Sequence, residues 1–152
     1  MRRLALVTPA LAVSLLLVAG CGETGEEHDS DFGAAADTTT CVKDAQRVSS
    51  YPEGFPGDFP FPAKTVVFDA EDRGQDGVVV TGVTSAPFRK VLAALNGPAQ
   101  QAGFQVTDGE TEEHDAEANW TGNGYRGRWA IRESGSCPGE TVVQVLAAKG
   151  ER

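Results

Sequence analysis

The sequence predicts an α+β domain in which one amphipathic helix covers one face of a single antiparallel sheet of about five to six strands. Short runs of β-branched and apolar residues, separated by turns rich in glycine and asparagine, predict the strands. One segment between the second and third strands instead carries its apolar residues at helical spacing. The predicted order is β-β-α-β-β-β-β, and the helix must cover the apolar face of the sheet.

The first two strands, residues 64–70 and 77–84, flank a polar turn that contains Gly74, and we expect them to form a hairpin. Ser85 is a candidate N-cap of the helix that follows, with Pro87 in its first turn. Asn96-Gly97-Pro98 should kink or split this helix, because a proline removes a backbone hydrogen bond. The apolar stripe of the helix comprises Phe88, Val91, Leu92, Leu95, Ala99 and Ala102.

The remaining strands are residues 104–107, 116–121, 125–133 and 141–148, with an acidic connection after the first of them. Asn123-Gly124 predicts a tight hairpin between the second and third of these strands. Because side chains alternate along a strand, residues 125–133 present two different faces. Tyr125, Gly127, Trp129 and Ile131 share one face, and Arg126, Arg128, Ala130 and Arg132 share the other.

The N-terminus predicts where the protein is located. Arg2 and Arg3 precede an apolar stretch over residues 4–18, which is shorter than the roughly 20 residues of a membrane-spanning helix. This stretch ends in Leu17-Val18-Ala19-Gly20-Cys21, and the whole arrangement resembles the signal peptide and lipobox of bacterial lipoproteins. The resemblance implies that residues 1–20 are removed and that diacylglycerol on Cys21 anchors the chain to the outer, extracytoplasmic face of a membrane. An ordinary secretory signal with a chance cysteine is the alternative.

Three segments follow the predicted cleavage site. Residues 21–40 comprise the lipidated cysteine and a segment that we call the acidic tether (22–40), which we expect to be disordered because it contains too little apolar surface to bury. Residues 41–152 form one domain, whose proline- and aromatic-rich arm (51–62) should pack on its surface. The acidic tether contains no lysine or arginine, and its acidic residues are Glu23, Glu26, Glu27, Asp29, Asp31 and Asp37.

With Cys21 acylated, Cys41 and Cys137 remain as an even pair in an oxidising compartment, and we predict that they form a disulfide. Two free thiols or a metal-binding pair are the alternatives. No second cysteine or histidine lies near either residue, which argues against a metal. We therefore predict no metal site and no cofactor.

Charge and composition narrow the function classes. The formal net charge is −9, and removal of residues 1–20, which contain Arg2 and Arg3 and no acidic residue, brings it to about −11. This balance argues against binding nucleic acid or anionic lipid headgroups through a basic face. His114 is the only histidine in the predicted domain, it lies in an acidic stretch, and no nucleophile motif accompanies it. We therefore predict no catalytic residue.

Two residue sets are candidates for binding. Arg126, Arg128 and Arg132 form a basic stripe that could receive an acidic partner or an anionic ligand, or could be the solvent face of a strand with its arginines paired with glutamates, since edge strands are routinely charged. A second set could line a sugar or lipid pocket, or form the core beneath the helix. We predict a non-catalytic interaction module that binds an envelope protein, with a carrier or sensor of a small apolar or glycan ligand as the alternative. The second set is Trp120, Tyr125 and Trp129.

Overall fold

The structure is a computed structural model that describes residues 40–150. These residues form six antiparallel strands and one bent helix of 14 residues, which confirms the predicted α+β class. The predicted signal peptide, the lipidation site Cys21 and residues 22–39 of the acidic tether lie outside the described residues. Within residues 40–150, no helix combines the length and the apolar character needed to cross a membrane.

All six strands belong to one sheet. They are β1 (Val66–Asp72), β2 (Val78–Thr84), β3 (Gln105–Thr111), β4 (Asp115–Gly122), β5 (Tyr125–Glu133) and β6 (Thr141–Lys149). The elements follow one another along the chain as β-β-α-β-β-β-β, but the arrangement in the sheet differs from this order, because β6 inserts between β2 and β5. The sheet order is β1-β2-β6-β5-β4-β3, so β1 and β3 are the edge strands.

The third strand is longer than expected. The predicted strand ended at Thr107, whereas β3 continues to Thr111 and its side chains are mostly exposed. Backbone pairing with β4 maintains it, with Glu110 opposite Glu117 and Thr111 opposite Ala116. The predicted acidic connection therefore shrinks to residues 112–114. An edge strand needs no apolar side chains on its exposed positions, and for this reason hydrophobic patterning missed it.

The helix breaks where the sequence predicts. Its two parts are α1 (Phe88–Asn96) and α2 (Pro98–Gln101), and the break is at Gly97. The predicted capping residue is wrong. Ser85 does not cap the helix, which begins after Pro87 without a side-chain cap, while the Thr84 hydroxyl accepts a hydrogen bond from the Ala86 N–H at 3.2 Å. The buried stripe consists of Phe88, Val91, Leu95 and Ala99.

The aromatic arm, residues 51–62, supplies part of the core on the helix side of the sheet. Phe55 and Phe59 are buried, and the ring of Phe59 lies 5.2 Å from that of Phe104 and 5.4 Å from that of Trp120. Phe61 is half-buried and its ring stacks on that of Phe55 at 6.0 Å. The arm is therefore an integral layer of the domain.

The predicted disulfide between Cys41 and Cys137 is confirmed. It joins positions 96 residues apart in sequence, with a Cα–Cα distance of 5.7 Å. A second contact reinforces it, because the Val42 N–H donates to Oε2 of Glu140 at 2.8 Å. The start of the described chain is thus held against the connection between β5 and β6.

Candidate binding surface

The two faces of β5 differ in what covers them. Trp129 and Ile131 point toward α1 and belong to the main core cluster. The alternate residues of β5, three of them arginines, lie on the opposite face, which we call the helix-free face. Its members on β5 are Arg126, Arg128, Ala130 and Arg132.

The arginines lie on an interior strand, since β5 pairs with β4 on one side and with β6 on the other. Protection of a sheet edge therefore does not explain these arginines, because the edge strands are β1 and β3. Their cross-strand neighbours on β6 are apolar, with Leu146 opposite Arg128 and Ala148 opposite Arg126. The stripe combines basic and apolar surface.

An open groove of about 800 Å³ lies on the helix-free face. Its lining combines three positively charged residues, Arg73, Arg126 and Arg128, with two negatively charged residues, Glu71 and Asp76. The groove is therefore formally positive in a chain whose formal net charge is −9. The lining is completed by Gln75, Thr107, Asn119, Trp120, Thr121, Gly127, Leu146 and Ala148.

The arginines differ in their local partners. Arg73 pairs with Glu71 at 3.0 Å, Arg128 pairs with Glu117, and Arg132 lies 3.9 Å from Asp115. Within the described part of the chain, Arg126 is exposed and has no ion pair. The pairing with acidic residues that the solvated-face alternative requires is thus present at Arg128 and Arg132, and it does not extend to Arg126.

One rim of the groove carries a stabilised carboxylate. Asn119 Nδ2 donates to Asp108 Oδ2 at 2.9 Å, and the Thr107 hydroxyl donates to Asp108 Oδ1 at 2.8 Å. These two hydrogen bonds, with a smaller contribution from the charge of Arg128, hold the pKa of the exposed Asp108 below its ordinary value. Asp108 therefore holds the Asn119 amide in a fixed orientation at this rim.

A small apolar cluster lies on the same face. Val79 and Ala130 are buried, and Leu146 is half-buried against them. Gln144 is also on this face and is 0% exposed, although its side-chain oxygen Oε1 has no hydrogen-bond partner in the described part of the chain. Its Nε2 donates to the Thr81 hydroxyl at 3.4 Å, which is at the long limit for a hydrogen bond.

The aromatic residues predicted for a ligand pocket lie on the helix side. Trp120 and Trp129 are 1% and 3% exposed, and the half-buried Tyr125 packs against the same core. The rings of Phe59 and Phe104 lie 5.4 Å and 5.5 Å from that of Trp120. These indoles thus occupy core positions, which the sequence allowed as the alternative to a pocket, although Trp120 also borders the groove of the helix-free face.

His114 lies in the turn between β3 and β4, where its Nδ1 is 2.9 Å from Oε2 of Glu133 and both side chains are well exposed. The hydroxyl of Ser134 accepts the Cys137 N–H at 3.1 Å, so it holds the connection between β5 and β6. Glu140 also lies beside Cys41 and Cys137, but the two sulfurs are joined in a disulfide. These contacts link turns and strand ends of the described domain to one another.

The sequence did not predict the groove. The apolar residues that line the groove, Leu146 and Ala148, belong to β6. They lie beside β5 because β6 inserts between β2 and β5 in the sheet. The alternation of Arg126 and Arg128 was the one local signal, and it located one side of the groove. In comparisons with known proteins, no protein-family model, no curated protein and no solved structure matches the chain.

Proposed function

We propose that the chain is a membrane-anchored, extracytoplasmic lipoprotein that acts as a non-catalytic interaction module of the cell envelope. Its helix-free face binds an acidic segment of a partner protein. The observation that carries this proposal is Arg126, an exposed cation in the groove that has no ion pair among residues 40–150 and lies beside apolar surface.

The proposed location is supported by two features. The basic start, apolar stretch and lipobox-like sequence are in the order that lipoprotein export requires. The disulfide between Cys41 and Cys137 is typical of proteins in oxidising compartments. We expect Cys21→Ala protein to leave the detergent phase in phase partitioning and to lack the mass of the lipid. Retention of the variant in the detergent phase would contradict the proposed anchor.

The chemistry of the groove favours an acidic partner. A carboxylate that reaches Arg126 forms charge-assisted hydrogen bonds, which are stronger than neutral ones. The adjacent Leu146 and Ala148 accept apolar side chains of the same segment. Both edges of the sheet carry carboxylates, which disfavour strand addition by another acidic chain. The edge residues are Asp69, Glu71 and Asp72 on β1, and Asp108 and Glu110 on β3.

The experiment is photo-cross-linking on intact cells with p-benzoylphenylalanine in place of Gln75, which lines the groove. We expect capture of an envelope protein, with the cross-link mapped to an acidic segment. Arg126→Glu should reduce capture at least tenfold without lowering the melting temperature. Arg89→Glu, at an exposed position on α1, is the matched control and should retain capture. Equal capture by both variants would rule out the groove.

A second function is favoured by one observation. Trp120 Nε1 has no hydrogen-bond partner among residues 40–150 although the residue is 1% exposed, and buried indole N–H groups usually have one. A small apolar or glycan ligand with an acceptor oxygen, held between helix and sheet, would satisfy this donor and make the chain a carrier or sensor. Binding of such a ligand should shift the tryptophan fluorescence, and Trp120→Phe should abolish that shift. An unchanged spectrum on titration with extracted envelope lipids and glycans would contradict this function.

A further inference from the structure

The cationic groups of the described domain are unevenly distributed. Residues 40–150 contain six arginines, and three of them occupy alternate positions on the helix-free face of β5. A fourth, Arg73, lines the groove on the same face. The helix-free face is therefore the arginine-rich surface of a strongly acidic chain.

The chain contains a segment with the complementary charge. Residues 22–39 carry six carboxylates and no lysine or arginine, and the only large apolar residue among them is Phe32. We propose that this part of the acidic tether binds the helix-free face and occupies the groove until a partner displaces it. The inference rests on the proposed function of the groove as a site for acidic segments, and it adds the regulation of that site.

The disulfide positions the tether for this contact. It holds Cys41 at the connection between β5 and β6, close to the end of β5 that carries Arg132. From Arg132 the strand runs about 20 Å to Arg126, at about 3.3 Å per residue. An extended chain covers about 30 Å between Cys41 and Phe32, which exceeds that length. The segment is therefore long enough to reach the whole arginine stripe.

The spacing of the tether residues matches the surface. Asp37 is four residues from Cys41 and reaches the end of the stripe at Arg132. Asp29 and Asp31 are far enough along to reach the groove at Arg126. Phe32 then lies near the apolar cluster of Val79, Ala130 and Leu146. One continuous segment thus supplies both the carboxylates and the apolar ring that this face accepts.

Because the acidic tether is covalently attached to the domain, a weak contact with the helix-free face is enough for the tether to occupy the groove. A short flexible linker holds its ligand at an effective concentration on the order of millimolar, so a segment of millimolar affinity already fills much of the site. A partner must compete with the tether at this effective concentration. Neutralising the tether carboxylates should therefore strengthen partner binding by roughly twofold to tenfold.

The test uses the purified mature lipoprotein with p-benzoylphenylalanine in place of Phe32. Irradiation followed by peptide mass spectrometry should give an intramolecular cross-link to peptides of β5 or β6. Asp29→Asn with Asp31→Asn, changes outside the folded domain, should reduce this cross-link at least threefold. Arg126→Glu should do the same, and Arg89→Glu should leave the yield unchanged. A cross-link to α1 or the arm, or one insensitive to both charge changes, overturns the proposal.

The two proposals can fail separately. The intramolecular cross-link is measured on pure protein, so it does not depend on any partner. If it forms as expected while Arg126→Glu leaves partner capture on cells unchanged, the tether proposal stands and the proposed function fails. If the cross-link is absent while Arg126→Glu abolishes capture, the groove binds the partner and the tether proposal fails.

Discussion

Gln144 provides a sharp test of how the centre of the sheet is held together. The residue is 0% exposed, its Oε1 has no hydrogen-bond partner within the described domain, and its Nε2 makes only a 3.4 Å hydrogen bond to the hydroxyl of Thr81. A buried, unsatisfied polar group costs about 1–3 kcal/mol, and a typical hydrogen bond contributes about 0.5–1.5 kcal/mol. Replacing both partners with apolar residues of similar size should therefore stabilise the domain.

The double variant Thr81→Val with Gln144→Met removes the unsatisfied oxygen together with the weak bond. We expect its free energy of unfolding to rise by about 1 kcal/mol, equivalent to roughly 5 °C in melting temperature for a domain of this size. Thr81→Val alone should lower it by about 1 kcal/mol, because Gln144 Nε2 then also lacks a partner.

Guanidinium unfolding with the disulfide intact measures these changes. Gln101→Met, at an exposed position on α2, is the control and should be nearly neutral. If the double variant is less stable than the wild type by 1 kcal/mol or more, the Gln144 amide contributes net stability and the reasoning fails.

Three further predictions concern other parts of the fold. Cys41→Ser with Cys137→Ser should lower the free energy of unfolding by about 4–5 kcal/mol, because the bridge closes a loop of about 100 residues; a loss under 1 kcal/mol in guanidinium unfolding would contradict this. Phe59→Ala should cost about 3–5 kcal/mol and weaken the near-ultraviolet circular dichroism of Trp120, whereas an arm that merely rests on the surface would show neither effect. Asn119→Ala should raise the pKa of Asp108 toward its ordinary value, followed by NMR titration of the carboxyl carbon. The pKa of Asp108 is lower in the folded than in the unfolded protein. The stability that Asp108 contributes is therefore present above its unfolded pKa and is lost as the pH falls through its folded pKa. Asn119→Ala should make the free energy of unfolding fall less steeply over this acidic pH range.

The local features of the fold were predictable because local chemistry determines them. Asn123 and Gly124 adopt positive φ values of 50° and 82°, as a tight hairpin requires, and this turn sets the register of β4 and β5. That register separates Trp129 from Arg128 on opposite faces. Likewise, Gly97 and Pro98 break the helix because of their own backbone properties.

The non-local features were not predictable in the same way. The sequence of β6 does not indicate that this strand pairs with both β2 and β5, because its apolar run is compatible with any buried strand. The composition of the groove depends on that pairing, as does the interior position of the arginines. A single sequence thus predicted which residues share a face of one strand, whereas the tertiary arrangement decided what lies beside them.

The disulfide also decides how the domain responds to mechanical force. A pull on the N-terminal end of the chain reaches Cys41 first and passes through the covalent bridge to Cys137, at the connection between two interior strands. Residues 42–136, which include the aromatic arm, lie inside the covalent loop and are bypassed by the load. With the bridge reduced, the same pull would run along the backbone into the arm and peel Phe55 and Phe59 from the core. Reduction therefore changes where the protein yields under tension as well as how stable it is at rest.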